Sequence, residues 1–149
     1  MAVVIEHEVN DLVERVIERL RAEGRRITTS RRVLLQCLFA GERHRTVEEL
    51  AADVQSVAPD IHLSTIYRNL DELEHYGIIE HVHLGHGPAT YHLAGEDHGH
   101  LVCSECGRTI EVPDTLFRSL MRGALADYDF RVDTHHFATI GKCGSCSTA

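Results

Sequence analysis

The stretch from His81 to Cys106 reads HVHLGHGPATYHLAGEDHGHLVCSEC, and its reading decides how the rest of the chain is organised. It holds six of the twelve histidines and closes on a Cys-x-x-Cys pair. Imidazole and thiolate bind zinc, nickel, cobalt or iron, whereas magnesium and calcium take oxygen ligands. Ile78–Leu84 and Ala89–Leu93 predict two strands joined by Gly85-His-Gly-Pro88, a β-hairpin. Ala94-Gly-Glu-Asp97 predicts a linker, and His100–Cys103 predicts the first strand of a second domain.

Towards the N-terminus the apolar spacing becomes helical. Val9, Leu12, Val13, Val16, Ile17 and Leu20 form one stripe, ended by Gly24. A second helix starts near Thr29 or Ser30, buries Val33, Leu34, Cys37 and Leu38, and stops before Gly41. Thr46 and Glu49 have capping-box spacing and open a third helix through Leu50, Ala51, Val54 and Val57, closed before Pro59. Ile66, Leu70, Leu73 and Tyr76 mark a fourth, with Gly77 at its end. Three short helices followed by a hairpin predict a winged helix-turn-helix, in which the last helix enters a DNA major groove.

Towards the C-terminus, Thr109–Val112 predicts a strand. Pro113 and Asp114 open a helix carrying Leu116, Phe117, Leu120, Met121 and Leu125. A last strand over Phe130–Gly141 leads into a second Cys-x-x-Cys. The expected fold class is α+β: a winged helix-turn-helix over residues 1–93, a hinge at 94–99, and a small α/β metal-binding domain over 100–149.

Charge separates the ends of the chain. The net charge is −8, yet residues 15–45 carry nine arginines against three glutamates. Arginine binds phosphate bidentately, so this end suits a polyanion while the acidic remainder does not. No apolar run reaches membrane-spanning length, and MAVVIEHEVND is too acidic for a secretory signal, so a cytoplasmic location is expected.

In a reducing compartment, Cys103, Cys106, Cys143 and Cys146 are expected to be metal ligands rather than disulfides. Two pairs can complete a closed tetrahedral S4 site, which is the mark of structural zinc. Thirty-six residues separate the pairs, so one ion would close a long loop. Cys37 lies on an apolar helix face and reads as core. The histidines follow another pattern. His81 and His83 are two apart on a predicted strand and share a face; His98 and His100 repeat the spacing. Such a site suits nickel, zinc or ferrous iron and weakens as imidazole protonates.

With these motifs the chain resembles the Fur family of metal-dependent repressors over nearly its whole length. The resemblance rests on Arg25-Arg-Ile-Thr-Thr-Ser-Arg31, Ser64-Thr-Ile-Tyr-Arg-Asn-Leu70, His98-Gly-His-Leu-Val-Cys103 and the paired cysteines. One departure is Thr29, where the family usually has proline. The hinge runs His81-Val-His-Leu-Gly-His-Gly and Thr90-Tyr-His-Leu-Ala94 are most similar to the nickel-responsive branch, Nur.

That resemblance implies a regulatory nickel site from His44, His81, His83 and His136. It also implies a second regulatory site from His44, His92, His98 and His100, which would compete for His44. A third family site falls on Asp97, Gly99, Arg118 and His135, two of which cannot ligate. The implied function is a homodimeric repressor that grips palindromic operator DNA when loaded with Ni2+, with Zn2+ or Fe2+ as alternatives. Tyr67 and Arg68 would read bases with Ser64 and Thr65 beside them, and Arg25, Arg26, Arg31 and Arg32 would hold phosphate. A peroxide sensor using bound iron is a rival within the family. A zinc hydrolase is a distant one, because the chain has no His-Glu-x-x-His stretch. No enzymatic activity, small-molecule substrate or membrane partner is expected.

Overall fold

The computed structural model describes residues 6–41, 44–85, 87–95, 98–133 and 137–147, together with the backbone of residues 2–5. The order is α1 (Ala2–Ala22), α2 (Thr29–Ala40), β1 (Arg45–Thr46), α3 (Val47–Val57), α4 (Leu63–His75), β2 (Ile79–His83), β3 (Ala89–Leu93), β4 (His98–Cys103) and β5 (Thr109–Pro113). A single 3-10 turn (Asp114–Phe117), α5 (Arg118–Tyr128), β6 (Ala138–Gly141) and α6 (Gly144–Ser147) complete it. The fold is α+β, as expected. Among the described residues, no helix is long and apolar enough to cross a membrane.

The chain divides into two compact units, residues 1–80 with 91–94, and residues 81–90 with 95–149. Strands β2 and β3 each pass from one unit to the other along their length.

The first unit is helical around an aliphatic core. Ile17, Leu20, Leu34, Leu50, Leu70 and Leu73 are fully buried, and each such side chain contributes about 1.5–3 kcal/mol relative to exposure. Helix α1 starts earlier than the predicted stripe and ends on Gly24, whose positive φ of 72° suits a residue without Cβ. In α2 the buried face is Arg31, Leu34, Leu35 and Leu38, which corrects the predicted stripe: Val33 and Cys37 are only half-buried. The Thr46–Glu49 capping box is present in both directions, at 3.2 Å and 2.8 Å. Val57 closes α3 pointing outwards rather than inwards, at 70% exposure. Strand β1, too short to leave a sequence pattern, joins a sheet of order β1-β3-β2.

The second unit is built on a sheet of order β5-β4-β6. Strand β4 pairs antiparallel with β5 and parallel with β6. It begins at His98, two residues before the predicted start, so His98 and Gly99 are strand rather than linker. Gly99 has a packing reason: a Cβ there would collide with the Phe117 ring. Among the described residues the last strand covers Ala138–Gly141, where it pairs in parallel with His100–Cys103 of β4. The helix predicted from Asp114 forms, but its stripe is not core. Leu116, Leu120 and Leu125 are exposed and only Phe117 is buried. Among the described residues of this unit the buried apolar side chains are Val82, Val102, Cys103 and Phe117. That is a thin core, and units with thin cores usually need a disulfide or metal staple.

Candidate metal centres and nucleic-acid interface

The thiol cluster follows from strand register. The parallel pairing sets Cys103 opposite Gly141, and the Ser104 amide and hydroxyl both donate to the Gly141 carbonyl, at 2.8 and 3.2 Å. Cys143 therefore emerges beside Cys103, while Cys106 and Cys146 return from the turn and from α6. The four sulfurs lie within 4.8 Å of one another, with Cys106 Sγ and Cys143 Sγ 3.8 Å apart. That separation excludes a bond between these two sulfurs, since a disulfide spans about 2.05 Å. A tetrahedron of Zn–S bonds about 2.3 Å long has sulfur–sulfur edges of about 3.8 Å.

The thiols are electrically unequal. The backbone amide of Cys143 donates to Cys103 Sγ at 3.4 Å; that amide first, then those of Cys106 and Glu105, lower the Cys103 thiol to about 6. Hydrogen bonds to Cys143 and then Cys106, with burial, push Cys146 up to about 12. Lys142, the chain's lone lysine, bridges to Glu105 at 2.9 Å, tying the two knuckles from outside.

The histidines are divided between the units. In the first, His44 precedes the α3 cap and His92 lies on β3, with ring centroids 4.9 Å apart. His92 is buried, and its Nδ1 lies 3.0 Å from the Leu93 carbonyl. A hydrogen bond there makes Nδ1 the donor and leaves the lone pair on Nε2, which is buried. In the second unit, His98 and His100 share a face of β4, with centroids 4.7 Å apart, and His81 and His83 share a face of β2 at 5.7 Å. His136 lies outside the described residues, as do Asp97 and His135, so the set His44, His81, His83 and His136 is described only in part. Of the remaining positions of the third site, Gly99 has no donor side chain and Arg118 faces Asp114 at 3.7 Å.

One further donor escaped the sequence reading. Glu111 on β5 stands directly opposite His100 in the antiparallel register. Cross-strand partners share a face, so this exposed carboxylate joins His98 and His100 on theirs. Its alternation with Ile110 and Val112 was the available signal, but register is invisible in the sequence.

On α4, Ser64, Tyr67 and Arg68 are exposed and Thr65 is half-buried, so the first turns present a hydroxyl-rich surface with one cation. Arg25 and Arg26 are exposed, and Arg32 is half-buried beside Glu14. Arg31 is not available to phosphate: it is 6% exposed and its guanidinium is spent inside the unit. This corrects the sequence expectation, which treated all four arginines alike.

The model of the ferric uptake regulator family matches residues 22–140. The chain is 30% identical over 146 residues to the ferric uptake regulation protein of Campylobacter jejuni, covering 96% of this chain and 92% of the relative. It is also 30% identical over 142 residues to the peroxide-responsive repressor PerR of Staphylococcus aureus, covering 95% and 93%. Its fold matches the solved structure of the ferric uptake regulator of Helicobacter pylori with a TM-score of 0.74 at 21% identity, over 95% of both chains.

Proposed function

The chain belongs to the ferric uptake regulator family, a family of metal-responsive transcriptional regulators, and from that premise we propose a homodimeric repressor with one structural and one regulatory metal. Cys103, Cys106, Cys143 and Cys146 hold the structural zinc, which supplies binding energy to a unit with little core of its own. All four positions are filled by protein, so this ion has no open site for chemistry.

The observation that carries the regulatory reading is the division of imidazoles between the two units. His44 and His92 belong to one, and His81, His83, His98 and His100 to the other. An ion that draws ligands from both binds one arrangement of the units better than others. Its affinity difference between arrangements sets how far DNA binding shifts, and the coupling is reciprocal. In the DNA-competent arrangement α4 lies in the major groove, with Tyr67 and Arg68 at base edges, Ser64 and Thr65 beside them, and Arg25, Arg26 and Arg32 on phosphate. A second copy covers the exposed leucines of α5, and two heads at fixed spacing match a palindromic operator. The domain limits 1–93 and 100–149 and a cytoplasmic location belong to the same proposal.

We assign nickel as the regulatory metal, on the His81–His83 pair acting with His44 and His136 in the manner of the Nur branch. Glu111 favours a second reading: an oxygen donor beside His98 and His100 suits Fe2+, Zn2+ or Mn2+, and an iron-loaded site would support peroxide sensing. Titration of duplexes selected by the full-length protein with each metal decides between them. Under nickel, His83→Ala abolishes the metal response and Glu111→Gln leaves it. The opposite pattern assigns the β4–β5 site. Equal DNA affinity with and without metal overturns both.

A further inference from the structure

The buried arginine of α2 has no part in holding DNA directly, and its partners show what it does instead. Arg31 Nη1 donates to the Arg26 carbonyl at 2.9 Å, and Arg31 Nε donates to Asn69 Oδ1 at 3.0 Å. Its remaining nitrogen, Nη2, pairs with Glu72. Asn69, itself 6% exposed, passes the tie on: its Nδ2 donates to the Thr65 carbonyl at 2.8 Å. Glu72 closes the circuit by pairing also with Arg25, whose guanidinium lies 5.7 Å over the Tyr76 ring. One planar fork therefore binds three things at once: the backbone of the Arg25–Arg26 turn, the side of α4, and through Asn69 the turn that carries Ser64 and Thr65.

A planar guanidinium is the side chain that can make these bonds together, since lysine offers a single charged point. The whole network lies within the first unit, so it does not depend on how the units are arranged. We propose that Arg31 and Asn69 are positioning residues that lock the phosphate-holding turn to the base-reading turn of α4. They set sequence discrimination rather than contributing charge to DNA. This inference rests on the proposal that α4 reads DNA.

The test uses full-length, metal-loaded protein and two duplexes, one selected from random sequence by the unmodified protein and one unrelated. Asn69→Ala removes the bridge and leaves the Arg31–Glu72 pair in place; Arg31→Lys keeps the charge and removes the fork. Positioning predicts that each variant loses about ten-fold or more on the selected duplex and about two-fold or less on the unrelated one. Each mismatched contact costs discrimination of this order. The slope of log affinity against log salt then stays as in the unmodified protein. Arg26→Ala is the contrast: it weakens both duplexes alike and lowers the slope by about one. If Arg31→Lys melts, Asn69→Ala carries the test alone. Equal losses on both duplexes, or a lowered melting temperature with discrimination intact below it, overturn the proposal. If the unmodified protein discriminates no duplex, it is the reading of α4 that fails.

Discussion

The cysteines and the histidines of this chain are both candidate sets of metal ligands, and they are arranged in opposite ways. The four thiols belong to one compact unit, come from two knuckles on adjacent parallel strands, and converge within 4.8 Å. The imidazoles come in pairs, distributed over both units and over β2, β3, β4 and the approach to α3. Ligands from within one unit stabilise that unit whatever the rest of the molecule does. Ligands drawn from two units make binding depend on their arrangement, which is what a switch requires. In the proposed function, the difference separates an ion that holds a fold together from one that reports on metal supply.

The largest expected effect tests the first half of that contrast. Cys143→Ser opens the thiol cluster, and the protein loses its tightly held zinc together with apparent stabilisation on the order of 10 kcal/mol. Metal analysis and thermal denaturation followed by circular dichroism should show the C-terminal unit melting separately, while the helical unit keeps its transition. A single unchanged transition would mean that the thiols staple nothing.

The second test concerns the imidazoles. Under the nickel reading His83→Ala, and under the β4–β5 reading His100→Ala, should reduce metal-dependent enhancement of operator binding by about 100-fold, at the upper end of ordinary coupling energies, with zinc content unchanged. Fluorescence anisotropy across a metal titration reads it. If His100→Ala removes the structural zinc as well, the two sets are not separate.

The unequal thiols give a pH signature to metal-free protein. Cys103 is lowered to about 6 from an ordinary value near 9, so its contribution to stability is complete above pH 9 and disappears as pH falls through 6. Cys146 is raised to about 12 from the same value, so its contribution is complete below pH 9 and disappears as pH rises towards 12. Stability of the metal-free unit should therefore rise from pH 6 to pH 9 and fall beyond it. At pH 7.5 zinc binding should release the proton held on Cys146, which calorimetry in buffers of differing ionisation enthalpy detects. A flat profile would make the four thiols equivalent.

The smallest effect sharpens the role of the first unit as a mount. Thr46→Ala removes one arm of the capping box and should cost about 1 kcal/mol in urea denaturation. Because the cap lies two residues after His44, metal affinity should weaken only a few-fold.

Periodicity made the helices legible: α3 and α4 lie where their apolar spacing predicts, because a buried stripe at helical period is a local property. The hairpin strands were legible for the same reason, and so was the pairing of the cysteines into knuckles. Pairing between distant strands was not. The parallel partnership of β4 and β6, the shortened last strand and the placing of Glu111 opposite His100 all depend on residues far apart in the chain. The exposed stripe of α5 shows the converse limit, since an amphipathic pattern declares that a face wants cover but not which molecule supplies it.

By itself the sequence determined the α+β class, the order of elements, the metal-ligating chemistry and the charge asymmetry, all of which reside in residue type and short spacing. The tertiary structure alone decided that four sulfurs meet within 4.8 Å, that a glycine makes room for Phe117, and that Arg31 is buried while Arg25 and Arg26 stay exposed. Four arginines within eight positions look alike along a chain. They differ once a helix rotates one of them towards Asn69 and Glu72, because burying a guanidinium requires partners on another element to offset its lost hydration.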